Sequence, residues 1–161
     1  MFNKLNSSIK TGISFGLTSG TITTLGLMIG LSAATSSKAV VIGGIITIAV
    51  ADAFSDALGI HISEESKSSD SKKIWQATAA TFLTKIIYTL TYLIPVLLFQ
   101  LQTGIYVAVG WGLFVISWLS YIIAKSQKEK PAHVIFEHLV ITIVVILITH
   151  YLGIWISNIF G

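Results

Sequence analysis

Residues 39–62 read AVVIGGIITIAVADAFSDALGIHI. Apart from Asp52, Asp56 and a histidine near its end, this run carries no ionisable side chain. A helix needs about 20 residues to cross the hydrocarbon core of a bilayer, and this run is long enough. Its Ile, Val and Thr content favours strands in water. In lipid, however, the backbone must satisfy its own hydrogen bonds, so length overrides propensity. The stretch is therefore read as a transmembrane helix with two carboxylates inside it.

Working outward, charge gaps isolate four further apolar runs, at 12–34, 74–99, 102–124 and 134–158. The connections, 34–38, 64–73, 100–103 and 125–132, leave no room for a soluble domain. The whole chain has 161 residues, 53% of them hydrophobic and only 11% charged. Soluble domains carry about 25% charged residues, so too few polar groups are present here to cover a soluble surface. This excludes a soluble enzyme and a disordered chain. A β-barrel would show ~10-residue alternating segments, and these runs are continuous. There is no cysteine, hence no disulfide framework or thiolate site. The expected fold is an all-α integral membrane protein, a single five-transmembrane-helix bundle over residues 1–161.

The basic residues are ten lysines with no arginine. Lys4, Lys10, Lys67, Lys72, Lys73, Lys125, Lys128 and Lys130 fall on one side of the membrane if the N-terminus is cytoplasmic. Lys38 falls on the other side, and Lys85 lies within a span. The positive-inside rule thus predicts a cytoplasmic N-terminus and an external C-terminus, and it explains the basic excess without nucleic acid. Lys4 and Lys10 resemble a signal-peptide n-region, but the run after them is longer than an h-region and studded with Gly and Thr. It is expected to remain as the first span. The Asn6-Ser7-Ser8 sequon is then cytoplasmic and idle.

Asp52 and Asp56 are the strongest functional signal. At i, i+4 they share one helix face, which Ser55, Gly59 and Ser63 continue. A carboxylate at this depth costs at least ~2.5–3.5 kcal/mol and persists when paired, protonated or metal-bound. Two carboxylates on one face suit a hard divalent cation or a proton relay. Counting inward from Ile74 puts Lys85 at a similar depth, on a polar stripe of Thr78, Thr81, Tyr88 and Tyr92. An Asp52–Lys85 or Asp56–Lys85 pair is expected; it is either an inert structural pair or one that a cation displaces. At the cytoplasmic end, His61, Glu64 and Glu65 offer mixed imidazole and carboxylate ligands for Fe(II), Mn(II) or Zn(II), or form a solvated charged loop with Lys67, Lys72 and Lys73.

Gly12, Gly16, Gly26 and Gly30 form a narrow stripe on the first span, with Ser19 and Thr23 among them. Small residues at this spacing let helix backbones approach closely, either within the chain or at a dimer interface. His133 and Glu137 at i, i+4 read as an interfacial pair, and His150, Tyr151 and Trp155 as an aromatic belt. No phosphate-binding glycine loop, H-E-x-x-H or nucleophile elbow is present, and no enzyme activity or resident cofactor is expected.

Three stretches carry a likeness: Gly16-Leu17-Thr18-Ser19-Gly20 with Gly26 to Ser32, Ala51 to Gly59, and Tyr92-Leu93-Ile94-Pro95. In these, and at Tyr151-Leu152-Gly153, the chain resembles the vacuolar iron transporter family, whose members are five-span dimeric metal transporters. An aspartate of that family's first helix is here Ser19. A methionine of its second helix is Asp56, and a glycine is Asp52. The family's long acidic cytoplasmic insert is reduced to Glu64, Glu65 and Asp70. The resemblance implies a homodimer in lipid that moves a divalent cation, Fe(II) or Mn(II), out of the cytoplasm, with exchange for protons as one form of coupling. Asp52, Asp56, His61, Glu64 and Glu65 would bind metal, and Ser19, Thr23, Ser55 and Lys85 would line the pathway. The host membrane would be the plasma membrane in a prokaryote and a vacuolar or other organelle membrane in a eukaryote. A non-transporting scaffold with a structural Asp–Lys network, and a proton or monovalent-cation carrier, are the alternatives.

Overall fold

The computed structural model describes residues 6–67 and 69–161; Lys4 lies outside them. The described residues form six helices: α1 (Ser7–Thr35), α2 (Lys38–Glu65), α3 (Ser71–Thr91), α4 (Leu93–Leu98), α5 (Leu101–Gln127) and α6 (Pro131–Phe160). With α3 and α4 read as one broken helix, five are long and apolar enough to cross a membrane. No strand occurs among the described residues.

The helices overrun the apolar runs because polar caps extend them past the hydrocarbon. Asn6, Ser37 and Asp70 each accept a backbone N–H of the first turn of α1, α2 and α3, groups that have no partner inside the helix. Pro131 opens α6 at the one place where a missing N–H costs nothing. Ser36 and Lys128 end α1 and α5 in the left-handed region, at φ 51° and 62°. Pro95 accounts for the break between α3 and α4. Its ring removes a donor and crowds the carbonyl four residues back, and Tyr92 N–H turns to Thr89 O, 3.1 Å away.

Successive spans alternate in direction. Lys10, Lys67, Lys72, Lys73, Lys125, Lys128 and Lys130 therefore gather at one end of the bundle, the lysine-rich end. Lys38, at the opposite end, has a local task. Its ammonium donates to Leu97 O (3.2 Å) and Phe99 O (3.0 Å) at the close of α4, where a cation suits the unpaired carbonyls.

The hub is α1, which packs on α2, α3, α5 and α6. Its glycines are used within the chain. A Cβ at Gly12 would stand 2.5 Å from Ala77 O and 2.7 Å from Ala80 Cβ, and one at Gly16 would stand 3.0 Å from Thr81 O. Gly20, which is not among the glycines of that stripe, continues this seam against the Tyr88 ring. Gly26 and Gly30 face Val145 and Thr149 of α6. On α2 the face turned to the bundle is Val41, Ile45, Ala49, Ala53, Ala57 and Ile60, where the alanines permit close approach. α6 is the peripheral span; Val134, Thr142 and Gly153 are its buried residues. The outer surface carries large apolar side chains such as Phe54, Leu98, Phe136 and Phe160, which suits lipid and not water.

Gly12→Ala should therefore lower the stability of detergent-solubilised protein by about 1–3 kcal/mol, the usual cost of overpacking. Gly110→Ala, where a Cβ meets nothing within 4 Å, should leave the melt unchanged or raise it. Thermal unfolding of the two variants side by side checks this.

Candidate functional site

Asp52 sits at the centre of the 28-residue α2, about 20 Å from either end at 1.5 Å per residue. Asp56 lies one turn toward the lysine-rich end. The alanine face brings α2 against α3, helped by a Phe54–Phe82 ring contact at 4.9 Å. α1 closes on α3 through Gly12, Gly16 and Gly20. Where the three helices meet, the α3 side chain presented is Lys85.

The Lys85 side chain is completely buried, at 0% exposure. Its ammonium donates to Asp56 Oδ2 in a very short bond and to Ser19 Oγ at 2.6 Å. Asp52 Oδ2 forms a salt bridge with the same ammonium at 2.5 Å and has no aligned hydrogen bond. The carboxylates are less covered than the lysine: 23% of the Asp52 side chain and 15% of the Asp56 side chain are exposed. They are open on the side where Ala51, Ser55 and Gly59 are exposed too. With all three groups ionised, the cluster holds one more negative charge than positive.

The remaining candidate residues are placed elsewhere. His61 Nδ1 lies 3.0 Å from Thr78 Oγ1, with its ring against the Trp75 edge at 4.8 Å. Glu64 pairs with Lys67 at 3.1 Å, and Glu65 is exposed. Thr23 Oγ1 donates to Ser19 O and so steadies the residue that holds Lys85. Ser55 is exposed beside the aspartates. Among the described residues, no three His, Asp or Glu side chains come together as a ready metal cage. Asp70 caps α3; its bond with the Lys73 side chain holds its carboxyl below the usual carboxylate range. His133 and Glu137 pair at 3.3 Å on the surface.

Two polar features escaped the sequence reading. Ser120, fully buried on α5, meets His138 Nδ1 of α6 at 2.7 Å. Beyond Lys85, the α1–α3 seam carries further polar rungs: Thr21 Oγ1 to Tyr88 Oη at 3.0 Å and Thr24 Oγ1 to Thr89 Oγ1 at 3.4 Å. The stripe Thr78, Thr81, Lys85, Tyr88 and Tyr92 signalled the α3 half of this seam. On α1, Thr21 belongs to a hydroxylated stripe of Thr11, Ser14, Thr18 and Thr21 at helical spacing, whereas Thr24 lies off it.

Chemically, the arrangement is a cationic group held in an oxygen cradle of two carboxylates and a hydroxyl, deep within a membrane-length bundle. No family model, curated protein or solved structure matches the chain. The class that fold and site define is a five-span helical membrane protein with an intramembrane Asp–Lys–Asp cluster.

Lys85→Met leaves two carboxylates facing each other without a counter-ion. It should cost on the order of 3–5 kcal/mol, as removal of one partner of a buried pair does. Lys85→Met/Asp56→Asn should recover most of that loss. Thermal melts of the three proteins test the coupling; a single variant as stable as wild type would show the pair to be energetically idle.

Proposed function

We propose that the chain is a proton-coupled carrier of divalent cations, Fe(II) or Mn(II), with Asp52 and Asp56 as the cation site and Lys85 as the built-in competitor for it. One observation carries this reading: a fully buried ammonium occupies the oxygen cradle of Asp52, Asp56 and Ser19. A lysine in such a cradle stands where a metal cation would stand. The cluster's surplus negative charge favours a divalent guest over the ammonium, and two carboxylates plus hydroxyl oxygens suit a hard cation. Intramembrane ionisable residues mark ion pathways and proton relays. The resemblance of α1, α2 and the Leu93-Ile94-Pro95 break to the vacuolar iron transporter family supports the same reading. From it come the cytoplasmic lysine-rich end, which the positive-inside rule also supports, and the export direction. Glu64, Glu65 and His61 would attract cations toward the site from that end.

A homodimer belongs to this proposal. Carboxylates 15–23% exposed at mid-membrane depth need cover from lipid. Ala51, Ser55 and Gly59, at i, i+4 and i+8 beside them, form a small-residue face open to a second copy. A Cβ at Gly59 meets nothing within 4 Å. The glycines of α1 are engaged inside the chain, so the dimer face falls to α2. Because the chain has no cysteine, Ser55→Cys should cross-link to a dimer in membranes under mild oxidant, and Phe160→Cys should not. Monomer alone from both would place the second copy elsewhere.

A second reading, a non-transporting membrane subunit, is favoured by one observation: among the described residues, no further His, Asp or Glu joins the cluster to complete a cage. Flux separates the two. Purified protein in proteoliposomes should move Mn(II) or Fe(II), faster with an opposing pH gradient, and Asp52→Asn/Asp56→Asn should fall to the liposome background. Folded wild-type protein that moves no divalent metal under any gradient would select the subunit reading.

A further inference from the structure

The surface between α2 and α3 carries a cleft of about 430 Å³ that the Asp–Lys–Asp cluster does not use. Its walls are Phe54, Leu58 and His61 on α2 and Trp75 and Phe82 on α3. The small side chains of Ala57, Thr78 and Ala79 leave the room between them. Phe54, Leu58 and Trp75 are each more than half exposed, so the cleft opens outward, to lipid. It runs along the helices. Phe54 to His61 and Trp75 to Phe82 each cover about 10 Å at 1.5 Å per residue, against a leaflet's hydrocarbon depth of about 15 Å. Its length and direction are those of a lipid acyl chain.

The two ends of the cleft differ. Toward the membrane centre the rings of Phe54 and Phe82 meet at 4.9 Å and form an apolar stop. Toward the lysine-rich end His61 and Trp75 face each other, with ring centres 4.8 Å apart. The His61 ring is fixed there: Thr78 spends its hydroxyl hydrogen on Ile74 O at 2.9 Å, and its oxygen meets His61 Nδ1 at 3.0 Å. One turn further out, each wall ends in a charged residue. Glu65 is i+4 from His61 and Lys72 is i−3 from Trp75, so each shares a helix face with the ring that lines the mouth. Both are exposed. Among the described residues neither enters an ion pair, while Glu64 is taken by Lys67 and Asp70 by Lys73. The mouth therefore offers one anion and one cation, on opposite walls. The cleft beside Pro95 and Trp111 at the other end of the bundle has no such mouth, since the nearby Lys38 is engaged by Leu97 O and Phe99 O.

We infer that the α2–α3 cleft seats a zwitterionic phospholipid with a primary-amine headgroup. Its acyl chain lies between the two walls, its phosphate on Lys72 and its ammonium on Glu65. Both polar contacts are charge-assisted hydrogen bonds, the strong kind. An anionic glycerol headgroup sets no cation against Glu65, and a choline headgroup brings a cation without an N–H to donate. Trp75 lies at the depth where indole rings settle, between chain and headgroup. The inference does not depend on what the chain transports.

The test titrates the full-length protein, stripped of lipid in a non-ionic detergent, with phosphatidylethanolamine, phosphatidylglycerol or phosphatidylcholine, and counts bound lipid by native mass spectrometry. Phosphatidylethanolamine should bind about fivefold more tightly than the other two, the worth of one charged contact at a lipid surface. Glu65→Gln should erase that advantage. Lys72→Gln should weaken all three lipids by about fivefold, because each carries the phosphate. Ala79→Phe, which fills the cleft, should weaken them as well, and Lys130→Gln, at the same end but away from the cleft, should change nothing. Glu65 and Lys72 are exposed, so their glutamine variants keep the fold. In a second measurement, phosphatidylethanolamine with brominated chains, at one lipid per chain, should quench the tryptophan fluorescence of wild type and not that of Trp75→Phe. Phosphatidylglycerol bound as tightly as phosphatidylethanolamine, or an advantage that survives Glu65→Gln, would overturn the headgroup assignment. Quenching undiminished in Trp75→Phe would place the lipid elsewhere and overturn the site.

Discussion

A charge inside a bilayer has to be answered by another charge, and the pairing of Lys85 with Asp52 and Asp56 is the constraint on which the bundle turns. Each of the three would cost several kcal/mol alone at that depth. Together they hold α2 and α3 at a fixed register, and Ser19 adds α1 to the same point. The close packing around them serves this end. Gly12, Gly16 and Gly20 bring the α1 backbone onto α3, and Ala49, Ala53 and Ala57 bring α2 onto it. Were either face bulkier, the ammonium could not reach both carboxylates and the hydroxyl at once.

The same cluster is not a matched, equally buried ion pair. Here the cation is fully covered, while the two anions outnumber it and remain partly open on one side. Asp52 Oδ2 lies 2.5 Å from the ammonium without an aligned hydrogen bond and is itself buried. That asymmetry is what a competing cation would exploit, and the two-carboxylate face of α2 is where a second copy would close the site from lipid.

Much of this was legible before any coordinates. The five spans follow from run lengths, with errors confined to the ends, where caps such as Asn6 and Asp70 carry helices into the polar zone. The Lys85 pairing follows from counting residues inward from the same membrane face. His61, Glu64 and Glu65 lie at the end of α2 apart from the aspartates, as their spacing indicates, but their individual partners, Thr78 for His61 and Lys67 for Glu64, are not legible in it. Nor could glycine spacing say which helix a glycine meets: Gly12 and Gly26 lie on one stripe yet face α3 and α6. The polar rungs of the α1–α3 seam were partly visible, since Tyr88 and Thr21 each fall on a polar stripe of their own helix, while the pairing between the stripes and the Thr24–Thr89 rung had no sequence signal.

The most direct test asks whether cargo displaces Lys85. Protein labelled with nitrogen-15 in its lysine side chains would be titrated with diamagnetic Zn(II) and followed by NMR, with Lys85→Arg identifying the signal. The account predicts that the Lys85 ammonium resonance leaves its ion-paired position as metal binds, while the surface lysines stay in place. A Lys85 signal that does not move while Zn(II) occupies the protein would contradict it.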